Sequence, residues 1–487
     1  MPPLLLFGDQ LGPHFHEGYD QVVLVESSAA LRRRPYHRQK LHLVLSGIRH
    51  LARELGDRAV LLRANTYREA LREFGRPVLV HEPGSHAAER LVAALRAEGL
   101  VDRVLPTPAF ALSRAEFASW AGARTKFLME DFYREQRRRF GVLLDGDEPV
   151  GGRWNYDADN REPPPRGSAR LGVPPPWWPE EDEVDAEVRA DLDALAAPTT
   201  GVDGPRRFAI TRGEALAALR QFVDHRLAHF GPHEDAVLGK DWAMAHSLLS
   251  VPLNHGLLHP LEVVRAAERA HREHDLPLAG VEGFVRQVLG WREYVWHLYW
   301  HLGPEYLARN NFHAESELPE WWSRLRPGGV RAACLRTALE GVRDRGWVHH
   351  IQRLMVLGNH ALQRGFDPRA LNDWFATAFV DGTPWVMPVN VIGMSQHADG
   401  GAIATKPYLS GGAYLNRMTD HCAGCWFDPR KRTGDRACPF TAGYWAWLQR
   451  HEKSMSRNHR MARAVHSLRR LADRERVLAQ EGEREIF

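Results

Sequence analysis

The stretch Leu4-Leu5-Leu6-Phe7-Gly8-Asp9-Gln10-Leu11-Gly12 decides the fold of the first part of the chain. Four apolar residues running without a polar break into a glycine–acid turn read as a buried strand that ends at a loop. Short apolar runs recur at residues 22–25, 59–62, 78–80 and 101–105, and the segments 37–55 and 85–98 between them read as helices. Strands alternating with helices of that length define parallel βαβ units. Ligands of such sheets sit beyond the carboxyl ends of the strands, where Gly8–Gly12 and Glu26 fall. Taken alone, those residues fit an ordinary turn and a helix cap.

Outward from that sheet, 487 residues exceed one compact core and imply two or three domains. A hydrophobic fraction of 44% with 26% charged residues excludes wholesale disorder. No apolar run reaches the roughly eighteen residues of a membrane span. The apolar run at the start is too short, and lacks the basic flank, for a signal peptide, so a cytoplasmic location is expected. A net charge of +3 names no partner by itself. Its distribution is uneven: residues 180–193 hold eight acids against Arg189, and residues 403–470 hold thirteen Lys/Arg against four Asp/Glu. The second bias predicts a C-terminal surface that faces a polyanion, through Lys406, Arg430, Lys431, Arg432, Arg457 and Arg460.

Between 151 and 205, Pro163-Pro164-Pro165, Pro174-Pro175-Pro176 and the acidic run interrupt regular structure. This reads as a connector draped over the surface, with a short helix around 183–195. Helical patterning follows at 214–229, 261–273, 282–302, 332–345, 348–364, 368–379 and 441–472. The expected organisation is an α/β domain (1–135), a proline-rich linker (136–210) and a larger all-helical domain (211–487). All four cysteines lie in the last: Cys334, Cys422-x-x-Cys425 and Cys438. In a cytosolic chain they are no disulfide framework. Their spacing fits a zinc site and an iron–sulfur cluster about equally.

Three helical segments carry a resemblance. Phe284-Val285-Arg286-Gln287-Val288-Leu289-Gly290-Trp291-Arg292-Glu293-Tyr294 is similar to the helix lining the flavin pocket of photolyases and cryptochromes. His349-His350-Ile351-Gln352-Arg353-Leu354-Met355 resembles their lesion-side helix, and Asn390-Val391-Ile392-Gly393-Met394-Ser395-Gln396 with Thr405-Lys406-Pro407-Tyr408 completes the likeness. With the four cysteines, Gly8-Asp9-Gln10-Leu11 and Gly152-Arg153-Trp154-Asn155, they resemble the iron–sulfur bacterial cryptochromes and photolyases, the branch with the prokaryotic (6-4) photolyases.

The resemblance implies a photolyase/cryptochrome fold: a Rossmann-like α/β antenna domain and an all-α domain holding a U-shaped FAD. It implies a 4Fe–4S cluster on Cys334, Cys422, Cys425 and Cys438. It also implies a 6,7-dimethyl-8-ribityllumazine antenna near Asp9, Gln10, Glu26 and Val44. His350 becomes the lesion-facing proton donor with His349 as neighbour and Tyr408 as the remaining acid in reach. Arg353 and Asp381 form the pair beside the isoalloxazine, with Asn390 at its N5 edge. His246, Ser247, Leu248, Leu249 and Ser250 form the loop at the diphosphate, and Phe284, Gln287, Trp291 and Arg292 contact flavin or lesion. Met387 stands where some members carry an acid. Trp374 relays electrons, with an outer partner in Trp321-Trp322, taken as Trp322; Trp296 and Trp300 read as core. The implied activity is light-driven repair of (6-4) photoproducts in damaged DNA by a monomer. A photoreceptor with the same cofactors and a zinc-containing nucleic-acid-binding protein are the rivals.

Overall fold

The computed structural model describes residues 2–124 and 126–487. Five strands, β1 (Leu4–Leu6), β2 (Val22–Ser27), β3 (Ala59–Ala64), β4 (Val78–His81) and β5 (Val101–Leu105), pair in parallel in the order β3-β2-β1-β4-β5. The chain leaves β1 toward β2 and β3, then crosses to the other side for β4 and β5. The direction therefore reverses between β1 and β4, the place where such sheets open a crevice. Alternate side chains divide the sheet's two faces. Leu5, Val23, Val25, Val78 and Val80 pack with Leu71, Val92 and Leu95 of the helices Tyr67–Phe74 and His86–Ala97. Leu4, Leu6, Val22, Leu24 and Leu79 share one core with Ile48 and Leu51 of helix Arg38–Leu55 and with Phe222, Leu253, Val263 and Phe284 of the helical part. The sheet thus packs directly on the helices.

Two expectations about the connector change. Helix Glu183–Leu195 does form, but it is docked rather than draped: Val184, Val188 and Leu192 pack on Leu41 and Leu45 of helix Arg38–Leu55. Its acids face that helix's basic side chains, with Asp185 2.9 Å from His42, Asp191 2.5 Å from Arg49 and Asp193 2.7 Å from Arg38. The acidic run is a charge-matched seam. The boundary expected at residue 135 falls inside helix Met129–Phe140, whose Tyr133 lies in the core shared with Val285 and Leu289. We place the division after β5 instead.

The helical part follows the expected segments with two departures. The run expected at 282–302 is three pieces, Leu278–Val285, a π-helical turn Arg286–Arg292, and Glu293–Leu302. Likewise Gln352–Gly358 is π-helical before Asn359–Arg364, and a third π turn covers Val389–Ser395. The helix expected at 441–472 breaks into Pro439–Arg450, Glu452–Met455 and Ala462–Arg469. Asn458 is the cause: its Oδ1 accepts the Arg460 N–H and its Nδ2 donates to the Thr405 carbonyl, local bonds that compete with the helix. Trp296 and Trp300 are core as expected, Trp296 stacked 4.1 Å from Phe110 and 5.5 Å from Trp300.

Candidate functional site

The centre of the helical part is an ion pair. Arg353, on the π turn Gln352–Gly358, donates from Nη1 and Nη2 to the Asp381 carboxylate at 2.9 and 3.0 Å. Asp381 is buried and also accepts the Ser250 hydroxyl at 2.7 Å, while its carbonyl accepts from Asn254. The guanidinium is bracketed by aromatic faces, Phe379 at 4.3 Å and Trp347 at 5.6 Å. A bidentate, desolvated pair of this kind fixes a positive charge rigidly.

Beside it three imidazoles converge. His246 stacks on His349 at 4.6 Å, His350 lies 5.8 Å from both, and ring nitrogens of all three come within 4.8 Å of one another, close enough to share a metal ion. Their protonation differs. Burial, with the neighbouring cationic partners second, lowers His246 to about 3 and His349 well below the ordinary histidine range. For His350 burial acts to lower the pKa, but the 3.0 Å hydrogen bond and charge of Asp235 prevail and the pKa is raised. The His350 ring is half exposed, whereas His349 Nε2 and His246 Nε2 are buried without protein partners. The helix begins at His350, and His349 caps it, its Nδ1 accepting the Ile351 N–H. His349 stands one turn before Arg353, whose N–H donates to the His349 carbonyl at 3.1 Å.

The remaining expected residues divide. Gln287 donates to Glu234 at 2.8 Å, and burial raises Glu234 to about 7 next to His350. Asn390 sits on the third π turn and donates to the Val386 carbonyl. Ser247 and Leu248 line a cleft with Arg207 and Arg226; Leu248 holds φ +57°, and Leu249 is core. Trp291 is partly buried, 6.2 Å from Tyr294. Arg292 turns toward the sheet side, donating to the Leu253 carbonyl and lying 4.3 Å from Phe110. Phe284 packs 4.7 Å from Phe222 and 5.7 Å from Phe230 in the core, and Phe230 in turn meets His246 at 6.2 Å. Met387 is buried among Trp374, Phe379 and Val391, offering no proton. Burial raises the Tyr408 pKa, which weakens it as a donor. Of the cations expected on DNA, Arg432 pairs with Asp473 and Arg430 with Asp428, leaving Lys406, Lys431, Arg457 and Arg460 exposed.

Two aromatic lines reach Arg353. One runs Phe379–Trp374 (5.8 Å), Trp374–Trp322 (5.5 Å) and Trp322–Trp321 (5.9 Å). Trp322 is wholly buried, so Trp321 is the member nearer solvent. The other runs Trp347–Trp242 (5.4 Å) and Trp242–Trp178 (5.7 Å). Sequence reasoning missed the second line, as it missed Asp235, because no local pattern ties residues so far apart along the chain.

The four cysteines line one cavity with Phe427, Pro429 and Phe440. Burial first, then the neighbouring thiols, raises the Cys334 pKa well above the ordinary thiol range, and burial raises Cys422 and Cys438 as well. Among the described residues no three of these sulfurs lie within 4.8 Å of one another. Four thiolates on one tetrahedral zinc, at a Zn–S distance of about 2.3 Å, sit roughly 3.8 Å apart. At the β1 end, burial raises Asp9 to about 6, and Val44 abuts Gly8. Gln10 is committed to the Phe7 N–H and the Glu82 carbonyl, and Glu26 to Arg49 at 2.7 and 2.9 Å. Of the four expected antenna residues, those two act first as internal braces.

With this geometry in place the chain can be compared with known proteins. Residues 4–208 match the family described as deoxyribodipyrimidine photo-lyase-related protein. The chain belongs to the photolyase/cryptochrome family, in its prokaryotic (6-4) photolyase branch. A relative from Agrobacterium fabrum named (6-4) photolyase is 38% identical over 494 aligned positions, covering 96% of each chain. The crystal structure of a bacterial class III photolyase from Agrobacterium tumefaciens shares the fold, with a TM-score of 0.55 at 18% identity over 96% of this chain and 98% of that one. Among the described residues no helix is long and apolar enough to cross a membrane. Family membership removes the zinc-protein rival and implies FAD.

Proposed function

We propose that the protein repairs (6-4) photoproducts in DNA under blue light. The observation that carries this reading is His350, its pKa raised by Asp235, half exposed beside the buried Arg353–Asp381 pair. FAD, when bound, supplies light absorption and one-electron chemistry. The donor set fits it: the fixed guanidinium of Arg353, the Ser250 and Asn390 polar groups, and two buried imidazole nitrogens lacking partners. Arg353, locked by Asp381, would hold negative charge, and the Ser247–Ser250 loop would hold phosphate.

His350 does the acid work. Its Nε2 is committed to Asp235, so Nδ1 is the nitrogen that meets the lesion and delivers the proton. His246 and His349 stay neutral, which leaves a single imidazolium in the crevice. Extruding the lesion is cheap because a damaged step stacks poorly. Lys406, Arg457 and Arg460 would hold phosphates beside Tyr408. Trp374 and Trp322 would relay electrons, with Trp321 as the outer member.

Cys334, Cys422, Cys425 and Cys438 would carry a 4Fe–4S cluster, a reading supported by the one cavity that all four line. A lumazine would lie at the carboxyl end of β1, against Asp9 and Val44, with Gln10 and Glu26 behind. The test is the purified protein with an oligonucleotide carrying one (6-4) lesion under blue light. Loss of the lesion is expected; full retention by flavin-loaded protein would replace this reading with the photoreceptor.

A further inference from the structure

We propose that Lys40 is a positioning residue for the Asp381 turn, an ammonium sent from the α/β part to set the flavin-side pair. The inference rests on the reading above for the role of that pair. Lys40 lies in the first turn of helix Arg38–Leu55. Its Nζ donates to the carbonyls of Ala376 at 2.7 Å, Phe379 at 3.2 Å and Gly382. An ammonium has three N–H groups, and all three are spent on this one turn.

The three acceptors explain why the contact matters. Helix Pro368–Ala378 ends here, and its last carbonyls lack helical partners. A cation at a helix C-terminus also meets the negative end of the dipole. Phe379 and Gly382 flank Asp381, so Lys40 grips the backbone on both sides of the carboxylate. Asn254 holds the Asp381 carbonyl itself, and only then do Arg353 and Ser250 fix the side chain. The same helix carries Trp374, and Phe379 forms one wall against Arg353. One ammonium therefore sets the relay tryptophan, the aromatic wall and the acid relative to one another.

Neighbouring contacts on the same strip differ in reach. Arg34 binds Asp373 at 2.9 Å, His37 meets the Arg343 carbonyl at 3.0 Å, and Gln39 donates to the Asp344 carbonyl at 2.8 Å. These staple the two parts together without touching the Asp381 turn. Burial lowers the Lys40 pKa to about 8, opposed by Asp381, which leaves it protonated at neutral pH.

A staple and a positioning group differ in what their loss changes. In full-length Lys40→Met, amide exchange at residues 379–382 of the flavin-free protein should rise at least about tenfold while residues 41–55 stay protected. In the flavin-loaded protein, photoreduction by an external thiol should slow about tenfold or more, since displacements near 1 Å can cost about a hundredfold. Lys40→Arg, which keeps the charge and donors, should recover most of both. Unchanged exchange with an unchanged photoreduction rate in Lys40→Met overturns the proposal, as does faster exchange spread evenly over the molecule with photoreduction intact. If Lys40→Met does not fold, Lys40→Gln decides: intermediate values support the role, unmutated values overturn it. If the unmutated protein takes up no flavin, the reading of the pocket fails, and the exchange comparison still judges Lys40.

Discussion

At the scale of single residues, the chemistry depends on one imidazole differing from two others a few ångströms away. His246 and His349 are neutral because burial dominates; the His350 pKa is raised because Asp235 outweighs the same penalty. His350→Ala should keep flavin and DNA binding while repair per photon falls about a hundredfold, the usual weight of a general acid, measured as lesions lost per absorbed photon. Asp235→Asn tests the cause. The donor is the protonated ring, so repair is present below its pKa and lost above it. Removing the carboxylate lowers that pKa, and the alkaline limb of the repair–pH profile should move to lower pH. An unmoved limb would free His350 from Asp235. His350, Arg353 and Asp381 were legible in the sequence through their motifs. Asp235 was not, since it lies 115 positions from the ring it serves. Phe284 is a motif residue whose side chain packs in the core, since a helix has two sides.

At the scale of elements, the strands were legible because buried parallel strands are short continuous apolar runs, and all five lie where those runs stand. The helices were legible in extent and not in their interior. Each of the three segments that carry the family likeness contains a π turn, at Arg286–Arg292, Gln352–Gly358 and Val389–Ser395. A π turn adds a residue and rotates everything after it, so a 3.6-residue period misassigns faces there, and such turns gather at functional sites. The aromatic lines also compete at this scale. Arg345 lies 4.8 Å and Arg207 6.0 Å from the Trp242 ring. At an effective dielectric of 20, a unit charge at that range disfavours a cation on the indole by about 3 kcal/mol. Among the described residues no guanidinium is stacked on Trp374 or Trp322. Trp374→Phe should therefore slow flavin photoreduction about tenfold or more, whereas Trp242→Phe should leave it within about twofold. Equal effects would mean that both lines conduct.

At the scale of the whole molecule, the two parts share a core, and the acidic helix Glu183–Leu195 closes the seam on helix Arg38–Leu55. Val44 on that helix abuts Gly8 beside Asp9, so Val44→Trp should exclude the lumazine, read as lost antenna absorbance with flavin and directly excited repair retained. A cluster on the four cysteines would tie the helical part in the same way. Cys334 lies at the start of helix Ala333–Arg345, Cys422 and Cys425 flank a short turn, and Cys438 caps helix Pro439–Arg450. Sequence spacing left zinc and iron–sulfur open because it fixes the number of ligands and says nothing of how far apart the sulfurs stand. Without a metal the buried thiols hold their protons, as their raised pKa values require. Binding therefore releases protons and joins three separate segments at once, so its free energy is folding free energy. Cys438→Ala should yield insoluble or readily unfolded protein without the brown iron–sulfur absorbance. Metal analysis of the unmutated protein should find about four irons per chain and no stoichiometric zinc. Soluble brown Cys438→Ala would remove that thiol from the ligand set, and a colourless chain with one zinc would replace the cluster altogether.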